Sequence, residues 1–342
     1  MTQFVSRDRC KLSSLRVRLS LLLVVFAVLL LPATSHAQAW LQEFPADSPS
    51  ARCLFTMAYD TSDFKVVLFG GLNATGALDH TFVWDDANWT QEVPAHSPPK
   101  RYLASMAYDA ADGKVVLFGG GNSTANLDAT LSDTWVWNGT DWKEEHPVKS
   151  PSGRGYAGMA YDAADGKVVL FGGATSGSIA RPLSDTWVWN GTDWKQEHPA
   201  KSPSARGLHA MAYDAAAGKV VLFGGAISTG AVSDTWVWNG TGWKQEHPAN
   251  SPPARYSAAM AYDEAQGQVV LFGGLDSNGN LLRDTWVWNG TDWTEEDFEH
   301  PPVARFGAGM AFDAAQGQVV MFGGLDSFDI PSAVISDTWV KR

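Results

Sequence analysis

Cysteine is nearly absent from this 342-residue chain, which has only Cys10 and Cys53. Charge is also sparse, at 18% of residues, and basic side chains are outnumbered 25 to 37 for a net charge of −12. Scarce charged helix formers beside 33 glycines and 16 tryptophans argue against a helical bundle. A 45% hydrophobic content excludes a mostly disordered polymer. No apolar run is long enough to span a bilayer as a helix. The longest, Leu19 to Leu31, has 13 residues where roughly 20 are needed.

That run follows Arg7, Arg9, Lys11, Arg16 and Arg18, is ended by Pro32, and precedes the small residues of Ser35-His36-Ala37. This is the pattern of a cleavable secretory leader over residues 1–37. Ala37-Gln38-Ala39 is an alternative cleavage site, but it would leave Trp40, a strand residue, at the very end. The expected location is therefore secreted or periplasmic, with no membrane span after cleavage. The leader carries +4, so residues 38–342 stand at −16 and nucleic acid is an unexpected partner. Cys53 would be alone in the mature chain, so no internal disulfide is expected.

What is present in abundance is repetition. The run VVLFGG or a near variant ends at Gly71, Gly120, Gly173, Gly225, Gly274 and Gly324. An arginine precedes each copy, at Arg52, Arg101, Arg154, Arg206, Arg255 and Arg305, spaced by 49, 53, 52, 49 and 50 residues. The common pattern of the units then reads Met-Ala-Tyr-Asp, a turn, the apolar run, a variable stretch, Asp-Thr-Trp-Val-Trp, Asn-Gly-Thr and a segment opening with Trp. Four strands, a to d, follow from this. Met-Ala-Tyr-Asp closes a. Val-Val-Leu-Phe is b, apolar throughout as a strand covered on both faces requires. Thr-Trp-Val-Trp alternates with period two as c. Asn-Gly suits a tight c-to-d hairpin, whose two central residues need positive φ. Six such units of about 50 residues predict an all-β, six-bladed propeller over residues 38–342.

The double glycine behind an apolar strand, with tryptophans at fixed distances, resembles the kelch repeat. The whole is similar to six-bladed kelch propellers, including the galactose oxidase central domain. The last unit stops inside strand c, at Thr338 to Arg342, whereas Trp40-Leu41-Gln42-Glu43 supplies a spare strand d. Pairing Trp40 to Glu43 with Asp337 to Val340 would close the ring and leave no open edge.

All 16 tryptophans fall on repeat positions and read as packing between blades, as do the six repeated methionines. His209, in strand a near the axis, and His80, which replaces the aspartate before strand c, have no counterparts in the other blades. Neither has a partner at metal-ligand spacing, so no metal or cofactor is expected. The copper radical site of galactose oxidase does not carry over. It needs two histidines, a tyrosine cross-linked to cysteine and a further domain. The six arginines admit two readings. They pair with the aspartates before strand c as scaffold, or they form a ring facing a ligand, as related propellers use them. In blade 1 the pairing would be lost or altered at His80.

Strand reversal puts the b-to-c and d-to-a loops on one face, and all length variation between units sits in b-to-c. Variable loops on a rigid scaffold are where binding is expected. The candidate ligand-face residues are Arg52, Arg101, Tyr102, Arg154, Tyr156, Arg206, His209, Arg255, Tyr256, Arg305 and Phe306. No catalytic residue is assigned. The preferred expectation is a monomeric, non-catalytic binding module for a protein or glycan outside the cytoplasm. The alternative, implied by resemblance to the kelch-type sialic acid mutarotases, is a periplasmic sugar-converting enzyme. Between arginine and methionine no unit has the Asp or Glu that acid–base chemistry would use.

Overall fold

The computed structural model describes residues 38–123, 129–175, 181–329 and 333–342; the expected leader, 1–37, lies outside them. Among the described residues every regular element is a strand. Six four-stranded antiparallel sheets form the blades. Blade 3 is representative: Gly158–Asp162, Lys167–Phe171, Thr186–Trp189 and Trp194–Glu197 pair in that order. The innermost strands of successive blades touch, blade 6 against blade 1 included, so the ring is closed.

Strand b is buried on both faces as its composition requires: Val168, Val169, Leu170 and Phe171 are each at most 1% exposed. Each interface between blades has its own apolar cluster. In five of the six, b-strand Val, Leu and Phe meet the second c-strand Trp and the d-strand Trp. In the sixth, between blades 5 and 6, Trp40 packs without the c-strand Trp, whose place Lys341 takes. Those d-strand tryptophans also carry a polar link. Trp89, Trp142, Trp194, Trp243 and Trp293 each donate an indole N–H to the threonine opening strand c of the preceding blade, all at 2.9 Å.

Trp40 completes the set. The N-terminal strand Trp40–Glu43 pairs antiparallel with Thr338–Lys341, one residue beyond the expected partner stretch. From there Trp40 Nε1 donates to Thr285 Oγ1 at 3.0 Å. Blade 6 thus borrows its fourth strand from the start of the chain and gains the same bond as the others.

The Asn-Gly hairpins differ from expectation. Gly139 has φ of 94°, but its neighbour Asn138 is not left-handed. Instead the Asn138 side-chain carbonyl accepts the N–H groups of Thr140 and Asp141, closing a four-residue Asn-Gly-Thr-Asp loop between Trp137 and Trp142. A side chain that satisfies two loop donors replaces the tighter turn.

Candidate functional site

All six repeat arginines are buried, at 0–1% exposure. In blades 2 to 6 the guanidinium grips the aspartate two residues before the first c-strand tryptophan. The pairs are Arg101–Asp133, Arg154–Asp185, Arg206–Asp234, Arg255–Asp284 and Arg305–Asp337, at 2.5 to 2.7 Å. The carboxylate oxygen that meets Nη2 also accepts the indole N–H of that tryptophan, for example Trp187 to Asp185 Oδ2 at 2.7 Å. Burial alone would raise these carboxyls. For Asp133, Asp185, Asp234 and Asp284 the arginine's hydrogen bonds and charge, with the indole, outweigh it and hold them below the ordinary range. The guanidinium also ties strand b, as Arg154 Nη1 does to the Gly172 carbonyl at 3.0 Å. Of the two readings, this geometry supports the scaffold one in these five blades.

The residue two places after each arginine behaves differently. Leu54, Leu103, Tyr156, Leu208 and Ser257 have φ between 55° and 63°, and Gly307 has 65°. Left-handed backbone costs a non-glycine residue of order 1–3 kcal/mol. What holds it is a closed circle of main-chain bonds. Leu103 N–H donates to the Leu54 carbonyl, Tyr156 to Leu103, Leu208 to Tyr156, Ser257 to Leu208, Gly307 to Ser257 and Leu54 back to Gly307, at 2.8 to 3.2 Å. Such backbone persists only where surrounding bonds over-determine it, as this circle does.

This circle is the rim of a cup of about 130 Å³ on the axis, at the face of the b-to-c and d-to-a loops. Its twelve lining residues are the six just named and the six that follow them. Four of the latter are alanines; the others are Phe55 and His209. The lining has no Asp, Glu, Lys or Arg. His209 is 7% exposed and its pKa is lowered to about 3, by burial first and then by the charge of Arg206. Its Nε2 accepts the N–H of Gly158 at 3.2 Å, which places the proton on Nδ1. Burial pushes Tyr156 up to about 12. At neutral pH the cup is therefore uncharged, with the Tyr156 and Ser257 hydroxyls and the neutral His209 imidazole as its polar side-chain groups.

Of the residues singled out in the sequence, the structure brings Tyr156 and His209 to the cup. Tyr102, Tyr256 and Phe306, one place earlier in the repeat, instead bridge to the residue after the double glycine of their own blades. Tyr102 is buried and donates its hydroxyl to the Ser123 carbonyl at 3.2 Å. Phe306 packs on exposed Phe328, ring centroids 5.5 Å apart. Leu54, Phe55, Leu103, Leu208 and Ser257 were missed. Their signal was available: positions two and three after the arginine vary within units that otherwise nearly repeat. Parts of the three longest loops (124–128, 176–180 and 330–332) lie outside the described residues.

Burial raises the Cys53 thiol to about 12, which leaves it unreactive. Among the described residues no group of three or more His, Cys, Asp or Glu is placed to hold a metal, and no helix is long and apolar enough to cross a membrane. No family model matches the sequence, and neither does any curated protein. The fold is similar to that in the solved structure of YjhT, with a TM-score of 0.64 and 14% identity over 86% of this chain and 95% of that one.

Proposed function

We propose that this chain is an exported, non-catalytic binding module whose ligand, a protein or glycan outside the cytoplasm, docks on the b-to-c loop face with an uncharged end in the axial cup. The observation that carries this reading is the cup itself, to which all six blades contribute at a strained, hydrogen-bonded rim. Its neutral lining suits hydroxyl-bearing or apolar groups better than an acid. The arginines, a natural attraction for acidic ligands, are committed inside blades 2 to 6.

Acid–base turnover of a sugar needs a group that titrates near the working pH within reach of the substrate. Tyr156 at about 12 and His209 at about 3 lie on either side of that range, which supports binding over conversion. Screening purified protein against neutral and acidic glycans, while following anomer exchange of each binder by NMR, tests both readings. Binding of neutral glycans without accelerated exchange is expected. Accelerated exchange would replace this reading with the sugar-converting one.

A further inference from the structure

Blade 1 breaks the Arg–Asp–Trp arrangement at both of the arginine's partners at once, with His80 where the others have the accepting aspartate and Phe82 where they have the donating tryptophan. Arg52 keeps the rest of its bonds. Nε donates to the Ser50 carbonyl at 3.0 Å, Nη1 to the Gly70 carbonyl at 3.2 Å and Nη2 to Ser50 Oγ at 3.1 Å. The two N–H groups that elsewhere fork onto a carboxylate have none here, and the guanidinium lies 4.9 Å above the Phe82 ring. Arg52 is nevertheless 0% exposed. Burial without a counter-ion lowers its pKa to about 10. Beside it lies a cavity of about 410 Å³ bordered by Arg52, His80, Phe82, Ser50, Asp47 and Thr90.

We propose that this cavity binds a small organic carboxylate with an apolar body. The two oxygens would take the place of the missing aspartate on the Arg52 fork, and the body would lie in the cavity beside Phe82. The physical reason is that a buried guanidinium is stable when a carboxylate meets its planar fork, and the fold already makes this pair five times. The His80 imidazole is the movable part. Its side chain is 40% exposed, and the Asp79 carboxylate lies 3.9 Å from its Nε2. Turning it outward opens the aspartate position. Asp47 is the only carboxylate bordering the cavity and disfavours anions that carry more than one charge. This site lies within blade 1, separate from the axial cup.

The test uses benzoate as probe, benzamide as its uncharged counterpart and chloride at matched ionic strength, followed by thermal shift and calorimetry. Benzoate is expected to bind the wild-type protein and raise its Tm, while benzamide and chloride do neither. His80→Asp restores the carboxylate that five blades already tolerate. It should raise Tm without ligand and weaken benzoate binding at least tenfold. The proposal is overturned if wild-type protein ignores benzoate, if benzamide or chloride acts equally, or if His80→Asp binds benzoate as before.

Discussion

The main-chain N–H of Gly158 donates to Nε2 of His209 across the interface between blades 3 and 4, and each residue explains the other. A Cβ at Gly158 would lie 2.6 Å from that nitrogen and 2.5 Å from Met211 Sδ. The pairing recurs once, where Phe55 of blade 1 occupies the space above Gly309 of blade 6. At the other four interfaces the incoming residue is alanine, and Thr56, Ser105, Ala210 or Ala259 replaces the glycine.

Gly158→Ala should therefore destabilise the protein by overpacking, by about 1–3 kcal/mol. Much of that loss should return in the double variant with His209→Ala, because the two sites share one space. Chemical denaturation of the four proteins of this cycle measures the coupling. Additive losses would mean that the two residues do not compete for room.

A second pair across a seam makes stability depend on pH. In blade 1, Asp85-Asp86 replaces Asn-Gly, and Asp86 has φ of 77°. Its Oδ2 accepts from Gln316 of blade 6 at 2.9 Å. The buried Asp313 carboxyl is pushed up to about 7, by burial first and then by the hydrogen bond and negative charge of Asp86. A carboxyl raised in the folded state holds its proton more tightly there than in the unfolded chain, where its pKa is about 3.9. The sign follows: its stabilisation is complete at acid pH and is lost as pH rises through about 7. Asp86→Gly removes the neighbouring charge and puts glycine at a left-handed position. The Tm of wild-type protein should fall more steeply between pH 4 and 7 than that of the variant. Parallel curves would show that the pair is not coupled.

Ring closure depends on Trp40. Trp40→Phe keeps an aromatic ring but loses the bond to Thr285, a loss of about 0.5–1.5 kcal/mol. Deleting residues 38–45 should do more, since it bares the edge of strand Thr338–Lys341 and invites edge pairing. Size-exclusion chromatography should show the truncated protein associating. A monomeric truncate of unchanged stability would contradict the closure.

The architecture was legible because six imperfect copies average out local ambiguity. The apolar b strand, the alternating c strand and the stray Trp40-Leu41-Gln42-Glu43 each pointed to one arrangement. The cup was harder to see. Leu54 or Leu208 in a left-handed conformation leaves no trace in propensity, since the cause is a main-chain circle that exists only once the ring has closed. The arginines showed the converse problem. Their regular spacing was plain, but whether Arg154 faced a ligand or Asp185 depended on a distance between side chains 31 residues apart.

Tyr156→Gly probes the axial cup with little structural disturbance, because Gly307 already occupies the same left-handed place in blade 6. Affinity for a glycan or protein ligand identified by the screen should be measured for wild-type protein, Tyr156→Gly and Thr192→Ala, the last in a c-to-d turn on the opposite face. Tyr156→Gly is predicted to weaken binding about tenfold, or about 1.4 kcal/mol, with Thr192→Ala unchanged. Loss of binding in Thr192→Ala with Tyr156→Gly unaffected would place the ligand on the other face and contradict the account.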